Sequence, residues 1–121
     1  MKKIVLCAVL ATAAVTPLTV SAAGTQTFCN GGAAAASTVS ATASTSDFVK
    51  VSFTPKCSAN VYLVGNDASS TLYKVGSASG KGKSKFAGSS DGGAVSGSNC
   101  SDDGAACELS NATAAAGGTA E

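Results

Sequence analysis

The feature that most limits how this chain can fold is its shortage of large apolar side chains. From Gly24 onward, leucine, valine and phenylalanine contribute 14 of about 98 residues, while alanine, glycine, serine and threonine dominate. So low a fraction normally indicates disorder, but disorder usually comes with high net charge as well. Over the same residues six lysines face seven acidic residues, so the net charge is close to zero. We therefore expect a folded domain that needs stabilisation beyond its own core.

The N-terminal residues are typical of a secretory signal peptide. Two lysines precede an apolar run from Ile4 to Val15, which is followed by Pro17 and by small residues ahead of Gly24. A retained membrane anchor is the alternative, but the run is shorter than the roughly 20 apolar residues that span a bilayer. We expect cleavage after Ala22 or Ala23, so that residues 1–23 meet the membrane only during export.

Four cysteines remain once the signal peptide, which contains the fifth, is removed. In a short exported chain an even number of cysteines indicates disulfides, and four allow three pairings. We favour Cys29 with Cys57 and Cys100 with Cys107, because the Asp-Gly turn in CSDDGAAC would bring the ends of that stretch together. A zinc site is the alternative, but no pair has C-x-x-C spacing and histidine is absent. We therefore expect two structural disulfides and no metal.

Alternation of apolar and polar residues predicts β-strands in the middle of the chain. In DFVKVSFTPKC, Val49, Val51 and Phe53 alternate with polar residues, as in a strand with one buried face. Residues 61–64 and 71–75 predict the two strands of a hairpin. Short strands separated by Gly, Asn and Asp are typical of a small antiparallel β-sandwich. We therefore expect an all-β fold stapled by two disulfides.

Composition divides the chain into four parts. After the signal peptide at 1–23, residues 24–46 are small and low in charge, and they contain a predicted strand at 37–43. Within it, the stretch from Ala33 to Ser46 is our candidate donor strand for exchange between subunits. The sandwich core is expected at 47–110, where no helical period is visible. Residues 111–121 have no large apolar side chain, and we expect them to form a flexible or subunit-contacting tail.

The stretch LYKVGSASGKGKSKF resembles a phosphate-binding loop, because a strand-like run leads into Gly82-Lys83-Ser84. The first glycine of that motif would fall on Ser77, one residue after the actual Gly76. The residues after Ser84 also fail to begin the helix that such a loop requires. We therefore predict no nucleotide site and interpret this stretch as a glycine-rich connection between strands.

Lys81, Lys83 and Lys85 alternate with other residues, so in an extended segment they share one face. Lysines on an exposed strand oppose unwanted pairing of sheet edges. The same three residues are our candidate contact with a neighbouring subunit.

The composition also excludes several classes of function. Without histidine, neither a Ser-His-Asp nor a Cys-His catalytic arrangement can be built. Asp102-Asp103-Gly104 lacks the ligand ladder of an EF-hand and is interpreted as a turn. Arginine is absent and there is no basic excess, which speaks against nucleic-acid binding. We predict no enzyme, no catalytic residue and no cofactor.

A near-neutral exported chain that is rich in Ala, Gly, Ser and Thr, patterned for β-structure and equipped with disulfides resembles fimbrial and other self-assembling filament subunits of bacteria. The resemblance implies a secreted structural protein, exported through the periplasm, that assembles with identical copies into an extracellular filament, tube or surface layer. The alternative is a monomeric secreted binding module, carbohydrate-binding or inhibitor-like. That alternative predicts an exposed aromatic pair, for which Tyr62 and Tyr73 are the candidates.

Overall fold

The computed structural model describes residues 24–33 and 47–118, which form one antiparallel sheet with a short helix on one face. The strands are adjacent in space in the order of the chain, and their bounds are β1 Gly24–Asn30, β2 Val61–Ser69, β3 Leu72–Ser79, β4 Ser84–Ser89 and β5 Ser96–Asn99, followed by helix α1 at Leu109–Ala115. The predicted antiparallel β-structure is confirmed. Over the described residues it is a single sheet covered by a helix, without the second sheet of a sandwich. The expected signal peptide and the strand predicted at 37–43 lie outside these residues.

The hairpin of β2 and β3 is confirmed, and it is longer than predicted. We expected the first strand to stop at Gly65, but pairing continues through Gly65↔Val75 and Asp67↔Tyr73 to the end of β2. Gly65 serves close packing and not a turn, because a Cβ there would overlap the hydroxyl of Tyr73 and the ring of Phe28.

Helix α1 corrects the prediction that the chain lacks a helix and ends in an extended or flexible tail from residue 111. Its buried side is made of alanines: Ala112 and Ala116 have no exposed surface. Below them lies Gly76 of β3, where a Cβ would overlap the carbonyl oxygen of Ala112. The side-chain amide of Asn66 on β2 donates a hydrogen bond to the carbonyl of Ala116 at 3.2 Å. Small residues on both partners therefore let the helix lie close to the sheet.

Two small clusters of buried side chains lie on opposite faces of the sheet. The cluster under α1 contains Val64, Ala78, Cys107, Ala112 and Ala116. The other consists of Phe28 and Cys29, with Val49, Cys57, Leu63 and Tyr73 packed against it. Each cluster includes one disulfide. Both favoured pairings are confirmed, because Cys29 is bonded to Cys57 and Cys100 to Cys107.

The strand predicted around Val49, Val51 and Phe53 does not form. In this region only Phe53 and Lys56 make isolated bridges, and Val51, which we expected on a buried face, is 77% exposed. The segment is held to the sheet by a side chain instead.

That side chain is the buried carboxylate of Asp67 on β2. It accepts hydrogen bonds from the backbone amides of Phe48 at 2.9 Å and Val49 at 3.3 Å. The ring of Phe48 also packs on Tyr73, with their centroids 5.7 Å apart. A polar contact with a distant strand therefore holds the beginning of this segment against the sheet.

Candidate assembly surface

Strand β5 lies at one end of the sheet, and its edge lacks the residues that usually protect an edge strand. It pairs with β4 alone among the described residues, from Ser84↔Asn99 to Ala87↔Ser96, and all four of its residues are exposed. Its sequence, SGSN, contains neither charge nor proline. Natural proteins usually protect such an edge with lysine, proline or a bulge, because an unprotected edge pairs readily with another strand. Among the described residues, the outer edge of β5 is therefore unpaired and unprotected.

The hydrogen bonds of β5 show which of its backbone groups point outward. Just beyond the strand, the amide of Cys100 donates to the carbonyl of Lys83 at 2.8 Å, in register with the pairing of β4 and β5. Hydrogen-bonded pairs alternate along an antiparallel ladder. Ser96 and Ser98 therefore face β4, and the backbone groups of Asn99 and its second neighbour, Gly97, point away from the sheet.

An exposed apolar patch adjoins this edge on the face opposite α1. It consists of Phe86 on β4, which is 48% exposed, and Val95, just before β5, which is 70% exposed. Gly97 is paired with Phe86, and a Cβ at Gly97 would lie 3.2 Å from the ring. A Cβ at Gly88 would lie 3.9 Å from Val95. We refer to these two side chains as the Phe86–Val95 patch, which extends to the β5 edge.

The sequence predicted that the three candidate lysines lie on an exposed sheet edge. In the structure none of them lies on an edge strand. Lys81 and Lys83 precede β4, and Lys85 lies inside it. Lys85 pairs with Ala78 on one side and Ser98 on the other, so β4 is an interior strand. The interpretation of these lysines as protection of an exposed edge strand is therefore wrong, whereas a contact between them and a neighbouring subunit stays a prediction.

The surroundings of Lys83 and Lys85 differ. A Cβ at Gly104 would lie 3.3 Å from Nζ of Lys83, so that side chain covers the loop before α1. Lys85 is half-buried on the face that carries α1. There it lines a shallow groove, whose other residues are Ala87, Ser96, Ser98, Ala114 and Ala115.

The aromatic pair required by a binding module is not formed by Tyr62 and Tyr73. Tyr62 packs against the cluster under α1, and Tyr73 packs in the cluster on the other face. Burial raises the pKa of the Tyr73 hydroxyl, and the negative charge of Asp67 raises it further. Both tyrosines are half-buried and contribute to packing.

The stretch from Ser101 to Ala105 forms a turn, as predicted. The hydroxyl of Ser101 accepts a hydrogen bond from the amide of Ala105 at 2.9 Å, and Gly104 adopts a positive φ of 72°. A hydrogen bond from the Ser101 side chain, with further bonds from backbone amides, lowers the pKa of Asp103. Across residues 24–33 and 47–118 no three potential metal-ligating side chains come together.

The chain matches no family model, and neither curated proteins nor solved structures give a match. In the described part of the chain, no helix has the length and apolar character needed to cross a bilayer. The function is therefore inferred from the geometry of the sheet and its open edge.

Proposed function

We propose that the protein is a secreted structural subunit that assembles with identical copies into an extracellular filament, tube or surface layer. The observation that carries this proposal is the uncharged β5 edge, continuous with the Phe86–Val95 patch. An exposed strand edge supplies hydrogen bonds to an added strand, and the adjoining apolar surface supplies burial. The two disulfides suit the oxidising surroundings of an exported protein.

The small core explains why a further interface would stabilise this fold. Val64 is the largest apolar side chain that is fully buried among the described residues. Five large apolar side chains remain exposed, and they are Phe48, Val51, Phe53, Phe86 and Val95. Contact between copies would remove part of this surface from water, at about 25 cal/mol for each Å² of apolar area. Identical partners can meet there without charge repulsion, because β5 itself carries no charge.

The strand that we propose for the β5 edge is the low-charge segment 33–46 of a neighbouring copy. A donor segment of one copy that pairs with β5 of the next makes a head-to-tail contact. Such contacts give an open polymer when the rotation between copies does not close a ring. We retain the group of Lys81, Lys83 and Lys85 as a second contact, suited to acidic side chains on the neighbour.

Replacing Asn99 by proline tests the β5 edge directly. Proline removes an outward-pointing amide and leaves the bonds from Ser96 and Ser98 to β4 in place. We expect Asn99→Pro to raise the concentration needed for polymerisation about fivefold, since one lost hydrogen bond costs about 1 kcal/mol. Asn99→Ser keeps the amide and serves as the matched control, with assembly expected to stay at the wild-type level.

Negative-stain electron microscopy and size-exclusion chromatography of the purified protein provide the measurement, and circular dichroism checks that both variants are folded. A wild-type protein that remains monomeric at high concentration, without ordered polymers, would refute the proposed function. Equal assembly by Asn99→Pro and Asn99→Ser would show that polymers form elsewhere than at the β5 edge.

A further inference from the structure

We propose that the Cys100–Cys107 disulfide controls whether the β5 edge is formed, so that the edge becomes available to another copy only after oxidation. The consequence for assembly rests on the proposed function. The coupling between the disulfide and β5 rests on the contacts of this chain alone.

The disulfide ties the edge strand to the buried cluster under α1. Cys100 directly follows Asn99, the last residue of β5. Cys107 is buried in the cluster that includes Val64 and Ala78. The covalent bond between the two cysteines therefore connects an exposed strand to the core.

Strand β5 has little else to hold it in place. Its residues are Ser, Gly, Ser and Asn, which are poor strand formers, and none of them buries an apolar side chain. The turn that leads into it contains Gly92 and Gly93 with φ values of 91° and 94°, a region that favours glycine. Apart from the disulfide, β5 is held by its backbone pairing with β4 and by the ring of Phe86, which lies against Gly97.

That pairing is extended by hydrogen bonds at the two cysteines themselves. The amide of Cys100 donates to Lys83 at 2.8 Å, and the amide of Cys107 donates to Gly82 at 3.0 Å. The side-chain amide of Asn111 in α1 also donates to the carbonyl of Cys100 at 3.1 Å. Both cysteines thus hydrogen-bond to the segment that enters β4, and the disulfide holds them there together.

Formation of the bond is an oxidation that depends on the compartment. Two thiols become one disulfide, two protons are released, and two electrons pass to a thiol–disulfide oxidant of the oxidising compartment. In a reducing compartment the thiols persist. A chain that has not been exported therefore lacks a firm β5 edge, which delays pairing between copies until after export.

The second disulfide provides a matched control. Cys29 belongs to β1, at the opposite end of the sheet, and its partner Cys57 packs in the cluster on the other face. The cluster that contains these two cysteines includes no residue of β5. Removing this disulfide tests general loss of stability without release of β5.

Amide hydrogen exchange tests the coupling, measured by NMR on the purified, oxidised full chain at a concentration below that needed for polymerisation. The reporters are the amides of Ser96 and Ser98, which point toward β4. In C100S/C107S we expect their exchange to rise at least fivefold and by up to about 50-fold relative to wild type, the upper value being the full entropic effect of releasing a closed loop of this length. The amides of β2 and β3 are expected to remain protected. In C29S/C57S the β5 amides should change no more than those of β2 and β3.

Light scattering on the same samples links the edge to assembly. Oxidised wild type and C29S/C57S are expected to polymerise, and C100S/C107S is expected to stay monomeric. If oxidised wild type does not polymerise but the exchange results are as expected, the proposed function fails and the coupling stands.

Two outcomes would overturn the coupling. The more direct one is unchanged protection of Ser96 and Ser98 in a folded C100S/C107S. If that variant does not fold, C100S/C107V keeps an apolar side chain in the cluster and is measured in its place. Global unfolding of this second variant would show that the disulfide supports the whole fold and does not act selectively on β5.

Discussion

A single methyl group at Gly76 tests how closely α1 lies on the sheet. A Cβ at this position in β3 would overlap the carbonyl oxygen of Ala112 and lie 2.5 Å from the amide nitrogen of Ala116. Both are backbone atoms of the helix and cannot rotate away as a side chain would. The substitution Gly76→Ala therefore requires a displacement of α1.

The expected destabilisation follows from three effects. Alanine in a strand normally stabilises by about 0.5–1 kcal/mol relative to glycine. Overpacking of a close contact costs about 1–3 kcal/mol. Displacement of α1 also strains the 3.2 Å hydrogen bond from Asn66 to Ala116, which is worth about 1 kcal/mol. We expect Gly76→Ala to lower the free energy of unfolding by about 1–3 kcal/mol, and to lower Tm by about 4–8 °C for each kcal/mol in a domain of this size.

Gly88→Ala is the matched control, because Gly88 lies in β4 on the face away from α1. A Cβ there meets only Cγ2 of Val95, at an ordinary 3.9 Å. We expect this variant to equal wild type or to exceed its stability by up to about 1 kcal/mol. Urea unfolding followed by far-ultraviolet circular dichroism, with disulfides intact, measures both variants. If Gly76→Ala is as stable as Gly88→Ala, α1 does not rest on Gly76 as described.

Two further predictions concern ionisable groups and the turn beside β5. The raised pKa of Tyr73 means that the folded state favours the neutral phenol, so stability is full below the ordinary pKa near 10 and is lost as pH rises through the folded value. In Asp67→Asn, ultraviolet titration should show a lower Tyr73 pKa, still above its ordinary value because burial is the larger cause; an unchanged pKa would contradict a role for the Asp67 charge. The pKa of Asp103 is lowered, so its contribution is present above the unfolded value and is lost as pH falls through the folded one. Ser101→Ala should raise the pKa of Asp103 toward its ordinary value in an NMR titration. An unchanged pKa would show that the Ser101 hydroxyl does not stabilise the ionised carboxylate.

The hairpin and the disulfides were predictable because their signals are local. Residues 61–64 and 71–75 are apolar runs with a short polar separation. The even number of cysteines after the predicted signal peptide indicated disulfides, and the Asp-Gly turn in CSDDGAAC favoured the pairing of sequence neighbours. The helix was missed because its buried stripe consists of alanines, and its partner on the sheet is Gly76, which resembles a turn residue. Contacts that depend on the absence of a side chain leave no hydrophobic period in the sequence.

Other features depend on residues distant in the chain. The alternation at Val49, Val51 and Phe53 satisfied the pattern of a strand, but hydrogen bonds to Asp67 give that segment another path. The residues of β5 have low strand propensity, and it is their pairing with β4 and the neighbouring disulfide that place them in the sheet. The candidate edge could not be located before the strand order was known. The alternating lysines indicated β4, which is an interior strand, whereas the edge is β5.

The bond between Cys100 and Cys107 also has a mechanical consequence. In a polymer joined through β5, a pulling force would enter each subunit at a four-residue strand that could peel from β4 one hydrogen bond at a time. The disulfide at the end of that strand passes tension covalently to Cys107, which is embedded beneath α1. Load is then shared by the packed body of the subunit, and the weakest strand need not carry it alone.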